Sequence, residues 1–268
     1  MTRQRANALQ FIKSVNDQVV GMSTLDWQKR IVVVVGAPRS GTTWIARELA
    51  KILAAEYMEE PNWLWRYGNL TKKTDFLTQK DATPDVIQHI QSHFLSRSKG
   101  GRWIVEKTPA NTVRSDFVRL ILPKANFVFV TRTLDDIRAS LQRKVLNNED
   151  RNNSRTRQSS LTPYLRTFRQ LFQYSKKSEI GVGLLELFER LHEKTMGRML
   201  IAPRSPELVT LAQNEGIQIA LNRQLAALGE GSSRWMQSTS DDCSVEVISY
   251  ENCVQSPELL FDLAEKWR

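Results

Sequence analysis

Two glycines five residues apart, Gly36 and Gly41, frame the segment Gly36-Ala37-Pro38-Arg39-Ser40-Gly41-Thr42-Thr43. The main-chain N–H groups of such a turn, with the first amides of a helix behind it, make a fixed cradle for an anion. Arg39 places a guanidinium inside the turn. The same glycines would also serve a strand-to-helix turn that holds no ligand. A second arginine, Arg132, leaves the apolar run Asn126–Thr131, and Ser140 follows eight positions later. An arginine there offers a planar fork of donors to a phosphate, and Ser140 adds a hydroxyl. The alternative is an arginine capped by Asp135 or Asp136, with Ser140 on a solvated face. Two more groups have suitable chemistry: Lys107 in Val105-Glu106-Lys107-Thr108-Pro109, and the acid pair Glu59-Glu60 before Pro61. Trp63, Trp65, Arg66 and Tyr67 follow the acid pair, either as the wall of a pocket or as plain packing. His89 and His93 are four apart on an expected helix. They have no Glu after the first and no visible third ligand, so packed or surface histidines are expected rather than a metal site.

These residues need a scaffold. Ile31-Val32-Val33-Val34-Val35 is a β-branched run without alternation, as in a central strand of a parallel sheet covered on both faces. A helix follows from Thr42 to about residue 55. Residues 59–83 read as loop, 84–98 as a helix with proline in its first turn, and 103–105 as a short buried strand. Residues 112–122 read as a helix stopped by Pro123, and 126–131 as another buried strand. A helix is expected from about 134 to 146 and a polar loop over 147–160; the cluster Arg143, Lys144, Arg151, Arg155 and Arg157, spanning the end of one and the body of the other, forms either a solvated loop or a lid over an anionic nucleotide. Residues 161–200 and 205–229 read as helices, 245–249 as a last strand and 257–267 as a closing helix; residues 1–25 look like a helical lead-in. The expected architecture is α/β: a P-loop-like parallel β-sheet flanked by helices, in one domain over 1–268, with an inserted helical lobe at about 150–230. Ligands of such sheets bind at the carboxyl ends of the strands, where Gly36, Lys107 and Arg132 would all lie.

The formal net charge of +9 favours an anionic partner without naming its class. Cys243 and Cys253 are too few for a disulfide framework and lack zinc spacing. The N-terminal residues make a poor signal peptide, and the longest apolar run is too short to span a bilayer. A soluble, cytoplasmic protein is the expectation.

The turn Gly36–Thr43 with Trp44 resembles the 5'-phosphosulfate loop of sulfotransferases that use 3'-phosphoadenosine 5'-phosphosulfate (PAPS). Arg132 with Ser140 resembles that family's 3'-phosphate motif. Ser249-Tyr250-Glu251-Asn252-Cys253 is similar to its Y-E-D-L segment, with Tyr250 near the adenine edge, and Lys107-Thr108-Pro109 is similar to its K-T-H or K-T-P element. The resemblance implies PAPS as donor, no metal, and transfer to a hydroxyl of a glycan, lipid or small alcohol. It implies nucleotide contacts from Gly36, Pro38, Arg39, Ser40, Gly41, Thr42, Thr43, Arg132, Ser140 and Tyr250. Arg39 would lie on the phosphosulfate and Lys107 on the leaving oxygen. Pro109 stands where the cytosolic branch has its histidine base, so the resemblance points to a glutamate-base branch, with Glu60 as the base and Glu59 in reserve. The chain also stops at Arg268 without the basic, glycine-rich loop with which the cytosolic branch holds the 3'-phosphate. The competing reading is a P-loop nucleotide kinase or a catalytically inactive nucleotide-binding relative. Thr42 in place of the Walker A lysine, and the lack of an acid at the ends of 126–131 and 245–249, count against the kinase.

Overall fold

The structure, a computed structural model, describes residues 26–72, 75–133, 135–137, 139–140, 162–185, 187–188, 235 and 245–268. The strands are β1 (Ile31–Gly36), β2 (Glu56–Glu59), β3 (Ile104–Lys107), β4 (Asn126–Thr131) and β5 (Val245–Ser249). All pair in parallel, in the order β2-β3-β1-β4-β5. The β-branched run is therefore the middle strand, and all six of its residues are buried.

Its two faces build two cores. Val32 and Val34 pack with Ile45, Ala46 and Leu49 of α1 (Thr42–Ile52). Val33 and Val35 pack against α3 (Pro84–Arg97) and α4 (Ser115–Ile121), through Ile87, Ile90, Phe94, Phe117 and Ile121. A short helix, α2 (Asn62–Trp65), lies between β2 and α3. Helix α5 (Thr162–Tyr174) follows β4 in the described chain; α6 (Tyr250–Gln255) and α7 (Glu258–Trp267) close it, and α7 rejoins the α1 face. The face changes because the direction changes. From β1 the chain moves outward to β2, then returns through β3 and past β1 to β4. Keeping every crossover right-handed across that reversal requires the connecting helices to switch faces. The reversal makes the carboxyl end of β1 a topological switch point, where open α/β sheets form ligand crevices.

Several elements differ from the sequence expectation. Helix α1 ends at Ile52 because Ala54 turns left-handed (φ 48). The Ala55 N–H then reaches back to the Ala50 carbonyl at 2.8 Å, and that of Ala54 to Lys51 at 3.1 Å, a Schellman ending that aims the chain into β2. Residues 59–83 are not all loop, because β2 runs into them and α2 and a 3-10 turn at Gln79–Asp81 lie within. The expected helix over 112–122 divides into a 3-10 turn, Pro109–Val113, and α4, separated by the non-helical Arg114 (φ −127). Tyr250 opens a helix of its own, α6, capped by the Ser249 hydroxyl, which accepts from the Asn252 N–H. The lead-in over 1–25, the loop over 147–160 and the basic cluster from Arg143 to Arg157 lie outside the described residues, as do Cys243 and most of the expected lobe. Cys253 is free and buried. Among the described residues, no helix is long and apolar enough to cross a membrane.

Candidate active site at the carboxyl edge of the sheet

The loop after β1 is shaped by three residues with positive φ: Gly36 (152), Arg39 (74) and Gly41 (94). A methyl on Gly36 would come within 2.6 Å of the Val130 carbonyl, and one on Gly41 within 2.1 Å of the Tyr250 ring. The loop is clamped from outside by Thr112. Its hydroxyl accepts the Gly36 N–H and donates to the Gly36 carbonyl, both at 2.9 Å. Pro38 and Arg39 are exposed, whereas Ser40 and Thr42 are buried; Gly41 and Thr43 lie half-buried at the helix start. Among the described residues no side chain caps α1, and the buried Ser40 hydroxyl has no hydrogen-bond partner. Buried donors are normally satisfied, so a loop left in this state fits an anion.

The second arginine motif comes to the same place. The Arg132 guanidinium lies 4.5 Å above the Tyr250 ring, is 3.6 Å from Glu251 Oε1, and donates from Nη1 to the Arg39 carbonyl at 3.2 Å. Arg39 donates from Nε and Nη2 to the Ser140 hydroxyl at 3.0 and 2.8 Å. Trp44, in the first turn of α1, meets Tyr250 edge-on with ring centres 5.8 Å apart. Trp44 also begins a groove of about 600 Å³ between α1 and α7, lined further by Ile52, Pro257, Leu260 and Phe261.

Across β1 lies a corner of different construction. β3 pairs with β1 so that Lys107 is level with Val34, one strand over from the loop. Lys107 is buried, and its Nζ donates to Glu60 Oε1 at 2.5 Å. Glu60 follows β2 with a left-handed backbone (φ 50), held by its N–H on the Lys107 carbonyl at 2.8 Å. A non-glycine residue in that region costs about 1 kcal/mol or more, and such strain gathers at functional sites. Arg39 and Glu60 are two of the three non-glycine residues with positive φ among the described residues, and both belong to this edge. Glu59, the reserve acid, is turned elsewhere, with Oε2 3.6 Å from Arg47 Nη2.

Beneath this pair lies Glu106, which sequence reasoning passed over. It is fully buried and accepts from Trp65 Nε1 at 3.0 Å, from Asn111 Nδ2 at 3.1 Å and from the Thr108 hydroxyl. Burial pushes its carboxyl up to about 7, against the pull of Thr108, Trp65 and the cations of Arg114 and Lys107. Arg114 is itself fully buried, bonded through Nε to Asn111 Oδ1 at 2.8 Å, and burial lowers it to about 10. The available signal was a charged residue two positions after Ile104, on the same face of the strand and level with Val33 of β1.

Trp63 and Trp65 are buried in the core, and Tyr67 stacks on His89 with ring centres 3.6 Å apart. His93 accepts from Arg97 Nε at 2.9 Å. Both histidines are thus packing residues, and burial lowers both, His93 to about 4. Among the described residues, no group of three His, Cys, Asp or Glu side chains is gathered as a metal site would need.

A parallel sheet in this order, with an uncapped glycine loop at its switch point, defines a P-loop-like α/β protein. The sequence profile of the sulfotransferase family matches residues 32–183, more than half of the chain, and the chain belongs to that family. The match begins in β1 and takes in the loop, Glu60, Lys107, Arg132 and Ser140. Among solved structures, the chain is similar to a sulfotransferase domain from the curacin biosynthetic pathway (11% identity, 88% of this chain and 72% of that chain, TM-score 0.42). It is also similar to a sulfotransferase from Alicyclobacillus acidocaldarius (14% identity, 88% and 79%, TM-score 0.39). A sugar kinase from Janibacter sp. HTCC2649 overlaps it as well (18% identity, 89% and 93%, TM-score 0.41). No curated protein sequence matches the chain.

Proposed function

We propose that this chain moves a sulfuryl group from PAPS to an acceptor hydroxyl by in-line transfer, with Glu60 as base and Lys107 as the cation at the leaving oxygen. The observation that carries the reading is the 2.5 Å contact between Glu60 and the buried Lys107, one strand away from the uncapped loop. Bound PAPS supplies the sulfuryl group, and the protein supplies position and charge.

In this reading the amides of Arg39 and of Gly41 to Thr43 at the start of α1, with the Ser40 hydroxyl, hold the 5'-phosphosulfate; the Ser40 N–H is taken by the Ala37 carbonyl at 3.0 Å. Gly36 and Pro38 shape the loop, since the Gly36 N–H is engaged by Thr112 and proline has none. Arg132 and Ser140 take the 3'-phosphate, and Tyr250 flanks the nucleotide beside Trp44. Glu60 removes the acceptor's hydroxyl proton as its oxygen bonds to sulfur. The bond from sulfur to the 5'-phosphate oxygen breaks on the opposite side, and Lys107 stabilises the charge on that oxygen. Cationic side chains thereby fill the role that a magnesium ion plays in phosphoryl transfer. A cytoplasmic setting and an acceptor of glycan, lipid or small-alcohol class complete the proposal.

Incubating the protein with sulfur-labelled PAPS and a panel of those acceptors tests it. Label should move to at least one hydroxyl class in the wild type and to none in Glu60→Gln. A wild type that neither transfers label nor binds adenosine 3',5'-bisphosphate would sink the reading.

A further inference from the structure

The loop arginine of this chain does not extend toward the Lys107 corner. Two Arg39 donors converge on the Ser140 hydroxyl, at 3.0 and 2.8 Å. Its carbonyl is held by Arg132 at 3.2 Å. Its backbone is left-handed (φ 74), an orientation that an ordinary residue adopts only when its surroundings impose it. Arg39 is therefore tied at both ends to the two residues of the second nucleotide motif, although Ser140 is 101 positions away in the chain.

The hydrogen-bond inventory of a hydroxyl sharpens this. Serine offers two lone pairs and one proton. With two N–H groups of Arg39 aimed at the oxygen, the remaining capacity of Ser140 is that of a donor. Arg39 thus presets Ser140 as a donor and leaves its own Nη1 without a hydrogen bond among the described residues. Arg132 brings a second guanidinium to the same peptide. Two cations and a hydroxyl left with its proton to donate, gathered together, suit a doubly charged phosphate, which accepts several charge-assisted bonds at once.

We infer that Arg39 reads the 3'-phosphate of the donor nucleotide together with Arg132 and Ser140, and so sets selectivity for 3'-phosphorylated nucleotides. It does not serve the sulfuryl end, where Lys107 is left as the cation at the leaving oxygen. The inference rests on the sulfotransferase reading, and it revises the assignment of Arg39 to the phosphosulfate.

Two ligands that differ only at the 3' position separate the possibilities: adenosine 3',5'-bisphosphate and adenosine 5'-phosphate, titrated by calorimetry. The wild type should prefer the bisphosphate. Arg39→Ala should weaken the bisphosphate by about tenfold or more, the worth of a charge-assisted hydrogen bond, and change the monophosphate by less than about twofold. Arg39→Lys, which keeps a charge but loses the two-pronged hold on Ser140, should move the ratio in the same direction by a smaller factor, and it keeps the test open if the alanine variant misfolds. Equal weakening of both ligands in Arg39→Ala would place the guanidinium at the 5' end and overturn the inference, as would an unchanged preference. A wild type with no preference for the bisphosphate would instead overturn the sulfotransferase reading beneath it.

Discussion

The two halves of the candidate site are built from different materials. The loop after β1 is continuous in sequence and made mostly of main chain. Its shape depends on positive φ at three positions, and its grip on amides that any residue would supply. The corner between β2 and β3 is assembled from side chains at Glu60, Trp65, Glu106, Lys107, Thr108, Asn111 and Arg114, on three stretches of chain: the end of β2, α2, and the run from β3 to the start of α4. A backbone site tolerates changes of side chain but not of conformation. A side-chain site has the opposite sensitivity, and substitutions can show whether that contrast holds.

The largest effect is expected in the corner. Glu60→Gln should lower the transfer rate by about 10²–10⁴-fold, the usual worth of a general base, while bisphosphate affinity measured by calorimetry stays as it was. Glu59→Gln should leave the rate nearly unchanged; a collapse there and not at Glu60 would exchange their roles. Lys107→Ala comes next, with a loss of about 10²–10³-fold in kcat on removal of the cation at the leaving oxygen. In the loop, Gly41→Ala should weaken nucleotide binding by about tenfold or more. The added methyl meets the Tyr250 ring, and the φ of 94 is itself unfavourable for alanine. Undiminished affinity in that variant would mean that the loop's conformation is not what binds.

The smallest effect concerns Glu106 and pH. Its carboxyl is held up at about 7 in the fold, above its ordinary value of 4.5. The folded state therefore keeps a proton that the unfolded chain has lost. This group's contribution to stability is full below about pH 4.5 and is lost as pH rises through about 7. Melting temperature should fall across that interval in the wild type and vary less in Glu106→Gln. A wild-type melting profile that rises over the same interval would contradict the assignment.

The same contrast explains what could be read before the structure. Ile31–Val35 announced a covered central strand because five β-branched or apolar residues in a row suit no other position in a sheet. The glycine loop, Arg132 with Ser140, and Lys107 each lie within a short stretch, so the resemblance to sulfotransferase motifs could be seen in each; Arg132 and Ser140 taken alone would equally suit a capped arginine on a solvated face. The edge strand β2 escaped notice because Glu56-Tyr57-Met58-Glu59 is short, flanked by acids and only partly buried, and it takes its form from pairing with β3. Glu106 escaped because its meaning depends on Trp65 and Asn111, which only the fold brings to it. The contact between Arg39 and Ser140 joins two motifs that were each legible, yet nothing in either stretch indicates that one side chain reaches the other.

The clamp on Gly36 has a consequence for the order in which the protein can be made. Thr112 holds the loop, and its own carbonyl accepts the indole N–H of Trp235 at 3.2 Å, from 123 positions further along. Tyr250, which covers Gly41, comes later still. A nascent chain on the ribosome therefore carries the residues of the glycine loop long before it completes their support, which waits for Trp235 and Tyr250. A fragment released before Trp235 would hold the motif in its sequence without the late-arriving buttress that the finished loop requires.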